Sequence, residues 1–153
     1  MAFRLSNKAS QWFKHIKVKG SGFELEFDGY YFCLIAGLKT GRTENVPNSE
    51  TTEIIQQFPR EYQSNRRLII ALFLHTDLDR MGIDLNEKTA LNKHLSFLIQ
   101  PDSATNLSED GMRILNQYSF GGFSELQSYF PEPPRTLDNF LVGFYRFINQ
   151  VNN

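Results

Sequence analysis

From Ser6 onward, Ala9, Trp12, Phe13 and Ile16 follow the i, i+3, i+4, i+7 spacing of one helical face, while Lys8, Lys14, His15 and Lys17 lie away from it. The pattern predicts an amphipathic, basic first helix. Gly20-Ser21-Gly22 stops it, and Phe23-Glu24-Leu25-Glu26-Phe27 then alternates with period two, which predicts a short extended segment near residues 23–27. Asp28 is a suitable N-cap for a second helix that is apolar all round over residues 30–38, with Lys39 near its end and Gly41 as a left-handed terminator. A helix without a polar face belongs in the centre of a fold, and Ala36 and Gly37 permit a neighbour to approach closely.

Residues 43–52 are polar and contain Pro47-Asn48-Ser49, a surface loop, with one helical turn expected around Ile54 and Ile55 before Phe58-Pro59. A third helix is expected from about Tyr62 to Met81-Gly82. Its seven apolar residues at 68–74 also suit a buried strand, but the Ala and Leu content and the segment's length favour helix. Asp84 and Glu87 form a capping-box-like start to a fourth helix lined by Ala90, Leu91, Leu95 and Leu98 and ended by Pro101. Ser108 caps a fifth, with Glu109 and Asp110 in its first turn and Leu107 placed to staple against Met112. Gly121-Gly122 reads as a helix-to-helix turn. After Pro131-Glu132-Pro133-Pro134, Thr136 opens a last helix with an apolar stripe of Phe140, Leu141, Phe144, Phe147, Ile148 and Val151. That stripe requires cover from the body or from a second subunit, and Phe140, Phe144 and Phe147 are its candidate interface residues. The fold class is therefore all-α, a compact bundle of about six helices with one short extended segment. Residues 1–153 form a single helical domain, of which 121–153 is an extra helical segment packed on the same core.

Composition adds that this core is aromatic: the 153 residues include 14 Phe and six Tyr, enough for dense ring packing. The single Cys33 excludes an internal disulfide, and no signal-like or membrane-spanning apolar run occurs, so a cytoplasmic location is expected. Charge changes the picture more. Five of the 16 basic residues (Arg4, Lys8, Lys14, Lys17 and Lys19) and none of the 17 acidic ones fall in the first 20 positions of a chain whose net charge is −1. Such asymmetry supplies a local anion-binding face or a basic end that pairs with the acidic body of another copy.

Candidate chemistry is sparse. His15, His75 and His94 fall on three different expected helices, and the close pair of His75 with Asp79 at i, i+4 is two ligands where zinc needs four. Cys33 sits in the most apolar helix, where a thiol packs rather than reacts. No nucleophile elbow, phosphate-binding glycine loop or dinucleotide fingerprint is present, so neither catalysis nor a cofactor is expected. The basic helix is the remaining lead: Arg4, Lys8, Lys14, Lys17 and Lys19, joined by Arg60, Arg66 and Arg67, suit a line of phosphates, although surface lysines also serve solubility alone. Binding of this kind is dominated by the backbone and weak in sequence specificity.

Three segments resemble the DndE family of bacterial DNA phosphorothioation systems. Leu5-Ser6-Asn7-Lys8-Ala9 leading into a basic helix is similar to that family's start; Phe58-Pro59-Arg60-Glu61-Tyr62 resembles its Phe-Gly-Gly-Glu-Tyr; and Leu91-Asn92-Lys93-His94-Leu95-Ser96-Phe97-Leu98 resembles its Leu-His-Arg-Gly-Ile-Gly-Tyr-Leu. The order and spacing agree over about the first 100 residues, the span of one small domain. His94 and Ser96 replace glycines, and residues 121–153 have no counterpart. The resemblance implies an all-helical, non-catalytic, homo-oligomeric component that binds DNA through surface lysines beside other proteins of a modification or defence operon. It carries over to Lys8 and Lys93 and transfers no catalytic residue. The alternative is a protein-interaction or scaffold module without nucleic-acid binding.

Overall fold

The computed structural model describes residues 1–18 and 20–151; Lys19, Asn152, Asn153 and the side chain of Val151 lie outside the described residues. The order of elements is β1 (Phe3–Ser6), α1 (Asn7–Trp12), α2 (Glu26–Thr40), β2 (Thr51–Ile55), α3 (Arg66–Met81), α4 (Lys88–Leu98), α5 (Glu109–Tyr129) and α6 (Leu137–Val151), with 3-10 turns at Asn48–Glu50 and Arg60–Asn65. Among the described residues the architecture is mostly helical, with six α-helices, but it is not purely all-α. β1 and β2 pair antiparallel, Arg4 opposite Glu53 and Ser6 opposite Thr51, with an irregularity between Phe3 and Arg4.

The extended structure thus lies at Phe3–Ser6 and not at residues 23–27. Phe3 and Leu5 alternate with Arg4 and bury their side chains, which is the period of a strand with one covered face. At 23–27 the same alternation arises differently: Phe23 and Phe27 are four apart, Phe27 already lies inside α2, and both are buried. α2 begins two residues before Asp28. Asp28 therefore sits inside the first turn, and its Oδ2 accepts the Leu25 N–H at 2.9 Å, closing the helix start from within.

The first helix is shorter than its apolar spacing suggests. Ser6 caps it by accepting the Ala9 N–H at 3.0 Å, but α1 ends at Trp12 and the chain continues in tight turns, with Ile16 N–H donating to Phe13 and Phe23 N–H to Ile16. Phe13 and Ile16 are buried from this turn. Residues 51–55 form β2 rather than a helical turn, as suits a segment with two Thr and two Ile. Residues 68–74 are helical, within α3, which removes the strand alternative. The Asp84 and Glu87 pair closes the turn ahead of α4, whose first residue is Lys88.

α2 and α5 form the centre. Gly41 ends α2 with φ of 74°, as expected of a left-handed terminator. Gly121 and Gly122 are not a turn but lie in the middle of α5, so no segment boundary falls at 121. A β-carbon on Gly37 would overlap the Tyr118 carbonyl oxygen, and one on Gly122 would overlap the Cys33 carbonyl oxygen. The two helices are notched into each other backbone to backbone, a contact that only hydrogen in place of a side chain allows.

α6 packs on α2 and α5 through Phe140, fully buried with its ring 5.1 Å from Phe32, 5.4 Å from Phe13 and 5.6 Å from Phe130. Phe147 is buried with its ring 5.4 Å from Tyr129, and half-buried Phe144 lies 4.9 Å from Phe32. The phenylalanines expected at an interface thus cover the body of their own chain. Thr136 opens α6 as its sequence position suggests, accepting the Asn139 N–H at 3.1 Å.

Candidate functional site

The cations of the N-terminal region are distributed by the short α1 and the turn after it. Lys8 and Lys14 are exposed, and neither makes an ion pair among the described residues. Lys17 is paired with Glu26 at 2.9 Å, and Arg4 is part-buried in the sheet with its Nε donating to Thr51 Oγ1 at 2.8 Å. Lys19 lies outside the described residues. Arg66 and Arg67 stand at the start of α3 and Lys93 on α4, elements that pack on each other and on α2 and α5, whereas α1 rests on β1. The buried Nε of Arg66 has no hydrogen-bond partner among the described residues.

Two polar clefts flank the loop at residues 44–50. One, of about 550 Å³, is walled by Arg4, Glu53, Glu109, Asp110, Arg113 and Asn116 among others. The second, of about 490 Å³, brings Lys8 beside Glu44, Glu50, Ser124 and Gln127. Ser124 donates to Glu44, and Gln117 Nε2 donates to Asn45 Oδ1 at 2.7 Å, so the loop is clamped to α5 between the clefts. Both clefts are mixed in charge.

The most organised polar chemistry is elsewhere, inside the core between α3, α4 and α5. Asp77 is 0% exposed; its Oδ1 accepts the Tyr118 hydroxyl at 2.8 Å and the Arg80 guanidinium at 2.8 and 2.9 Å, and its Oδ2 lies 2.7 Å from His94 Nε2. Burial would raise the carboxyl, but the hydrogen bonds from His94, Tyr118 and Arg80 and the Arg80 charge outweigh it and hold Asp77 below the ordinary carboxylate value. The Tyr118 phenol is pushed up, first by burial and then by the Asp77 carboxylate. Three donors converge on one buried acid, which ties three helices together.

Sequence reasoning missed this cluster. Its signal was present: His94 occupies the face defined by Leu91, Leu95 and Leu98, so an imidazole was placed among core positions and required a partner. The His75 and Asp79 pair, by contrast, is where it was expected, 3.5 Å apart with both side chains exposed.

Asn116 organises a second buried network. Its Oδ1 accepts the Tyr30 hydroxyl at 2.7 Å and the Arg4 N–H at 3.2 Å, while its Nδ2 donates to the Ala2 carbonyl at 3.0 Å. The amide thereby satisfies the outer edge of β1 and fastens it to α2 and α5. Cys33 is fully buried, and burial pushes its thiol well above the ordinary value, which leaves no thiolate for chemistry. Among the described residues no group of three or more His, Cys, Asp or Glu is placed to hold a metal ion, and no helix is long and apolar enough to cross a membrane.

No protein-family model, curated protein or solved structure matches the chain.

Proposed function

We propose that this chain is a non-catalytic, DndE-like accessory component of a bacterial DNA-modification or phage-defence system that binds the DNA backbone through its basic N-terminal region. The observation that carries the reading is the state of Lys8 and Lys14, exposed on α1 and the turn after it and without ion pairs among the described residues. Charge left unpaired on one short segment of a nearly neutral chain is available to phosphates. The three DndE-like segments supply the pathway.

Duplex binding followed by fluorescence anisotropy across a salt series tests this. Engagement of about four phosphates predicts roughly a hundredfold loss of affinity between 50 and 200 mM salt. Changing Lys8 and Lys14 to Ala should lower the slope of log affinity against log salt by about two. A flat salt response, or unchanged binding by that variant, overturns the proposal.

A second reading, a protein-interaction module, is favoured by a different observation: Leu68 and Leu72 on α3 and Leu141, Val142 and Tyr145 on α6 are all exposed.

A further inference from the structure

α4 is lightly held to the body. Of its 11 residues only His94 and Leu98 are buried, and of these Leu98 alone belongs to the aromatic core. Leu91 and Leu95 are partly covered without packing on that core. Asp84 to Thr89, which lead into the helix and open it, are all exposed. The turn there bonds only to itself and to the end of α3: Ile83 N–H donates to Leu78, Glu87 N–H to Asp84 and Lys88 N–H to Asn86. From Asp84 to Lys93 no side chain bonds to another element among the described residues. The far end is different. Ser108 Oγ donates to the Phe97 carbonyl at 2.6 Å, Ser108 N–H donates to the Leu98 carbonyl at 2.9 Å, and Ile99 bridges to Leu107. Between the free end and the pinned end one polar contact fastens the helix, His94 Nε2 against Asp77 Oδ2 at 2.7 Å.

We infer that the segment from Asp84 to Phe97 is a releasable strap latched by His94, which undocks and melts as one unit while α2, α3 and α5 stay folded. Two features keep the cost of release low. Asp77 does not depend on the strap alone: its Oδ1 keeps the Tyr118 hydroxyl and the Arg80 guanidinium, and water reaches the uncovered Oδ2, so no charge is left buried and unpaired. The helix itself has little stability of its own, because an isolated helix shorter than about 12–15 residues is marginal in water. With 11 residues, α4 has undocking and melting as a single event. Scarce buried apolar contact marks the parts of a fold that open ahead of the rest. Release uncovers Asp77 Oδ2 between α3 and α5 and frees the exposed Lys88 and Lys93 with the strap. The inference is independent of the DNA reading, because Lys8 and Lys14 lie outside the strap.

Amide hydrogen exchange of the whole chain, followed residue by residue by NMR, provides the test. The amides of Leu91 to Phe97 should share one level of protection, at least about a hundredfold below that of the α2 and α5 amides. His94→Ala removes the latch and leaves Asp77 with Tyr118 and Arg80, so the chain still folds. It should speed exchange in α4 by about tenfold and in α2 and α5 by much less. Thr89→Ala, at an exposed position without a partner, raises helix propensity and should slow exchange in α4 alone by about twofold. Protection of α4 equal to that of α5 overturns the inference, as does a graded loss of protection from Leu98 back to Lys88, which is fraying from one end. It is overturned equally by a His94→Ala variant whose α4 exchange is unchanged or rises in step with α2 and α5. A Thr89→Ala variant with unaltered exchange would show that opening does not pass through melting of α4, and would overturn it too.

Discussion

The Tyr118 hydroxyl donates to Asp77 Oδ1 at 2.8 Å between α5 and α3, and both side chains are 0% exposed. Neither side chain is open to solvent, so Asp77 is the acceptor for the Tyr118 hydroxyl proton, while the carboxylate also holds His94 and Arg80. Tyr118→Phe removes one donor from a carboxylate that keeps His94 and Arg80, and should cost about 1–3 kcal/mol in urea unfolding. Asp77→Ala strands the buried Tyr118 and His94 donors, while the exposed Arg80 can turn to solvent, and should cost about 3–5 kcal/mol. A Tyr118→Phe variant as stable as the parent would show that the bond contributes nothing.

The same carboxylate sets a direction for acid sensitivity. Asp77 is held below its unfolded-state value of about 3.9, so the folded state binds fewer protons than the unfolded state where the group titrates. Its contribution is complete above the unfolded-state value and is lost as pH falls through the lower folded-state value. Melting followed from pH 6 to pH 2 should therefore steepen below pH 4 in the parent and flatten in Asp77→Asn.

Gly37 and Gly122 are expected to be intolerant of even a methyl group. Alanine is the better helix former by about 1 kcal/mol, yet at either position its β-carbon would overlap a carbonyl oxygen of the facing helix. Gly37→Ala and Gly122→Ala should each destabilise by at least about 2 kcal/mol, visible as a lower denaturation midpoint. A gain in stability from either would mean that α2 and α5 can separate without loss.

Arg66 should behave in the opposite sense. Its buried Nε lacks a partner among the described residues, so the folded state carries an unsatisfied donor. Arg66→Met keeps the length of the side chain and removes the donor. A gain of about 1 kcal/mol, or a rise of about 2–4 °C in the melting midpoint, is expected by calorimetry.

Most helices were legible because their signals are local. Ser108 capping α5, Thr136 opening α6 and Gly41 closing α2 each act within one turn, and each stands where its residue type suggests. What escaped was set by distant partners. β1 is four residues long and is a strand because Thr51–Ile55 lies beside it and Asn116 beneath it, neither of which its own pattern announces. Gly121 and Gly122 carry the composition of a turn, and only the backbone of α2 and Arg42 explains why two glycines sit in mid-helix. His94 was readable as a core position but not as a partner of Asp77, since the pairing crosses from α4 to α3. Of the candidate cations, the exposure of Lys8 followed from the helical spacing; Lys14 is exposed from the turn that replaces the expected second half of the helix, and the pairing of Lys17 with Glu26 depended on where α2 begins.

The clasp of Asn116 on Ala2 and Arg4 has a consequence for how the chain is made. The bonds join residues separated by 112 and 114 positions, and the neighbouring strand is itself about 50 residues downstream. During synthesis the N-terminal strand leaves the ribosome long before its partner amide is translated, and local helices form sooner than such distant pairings. β1 is therefore among the last elements to settle although it is made before its partners, and a truncation that ends before α5 leaves that strand without its anchor.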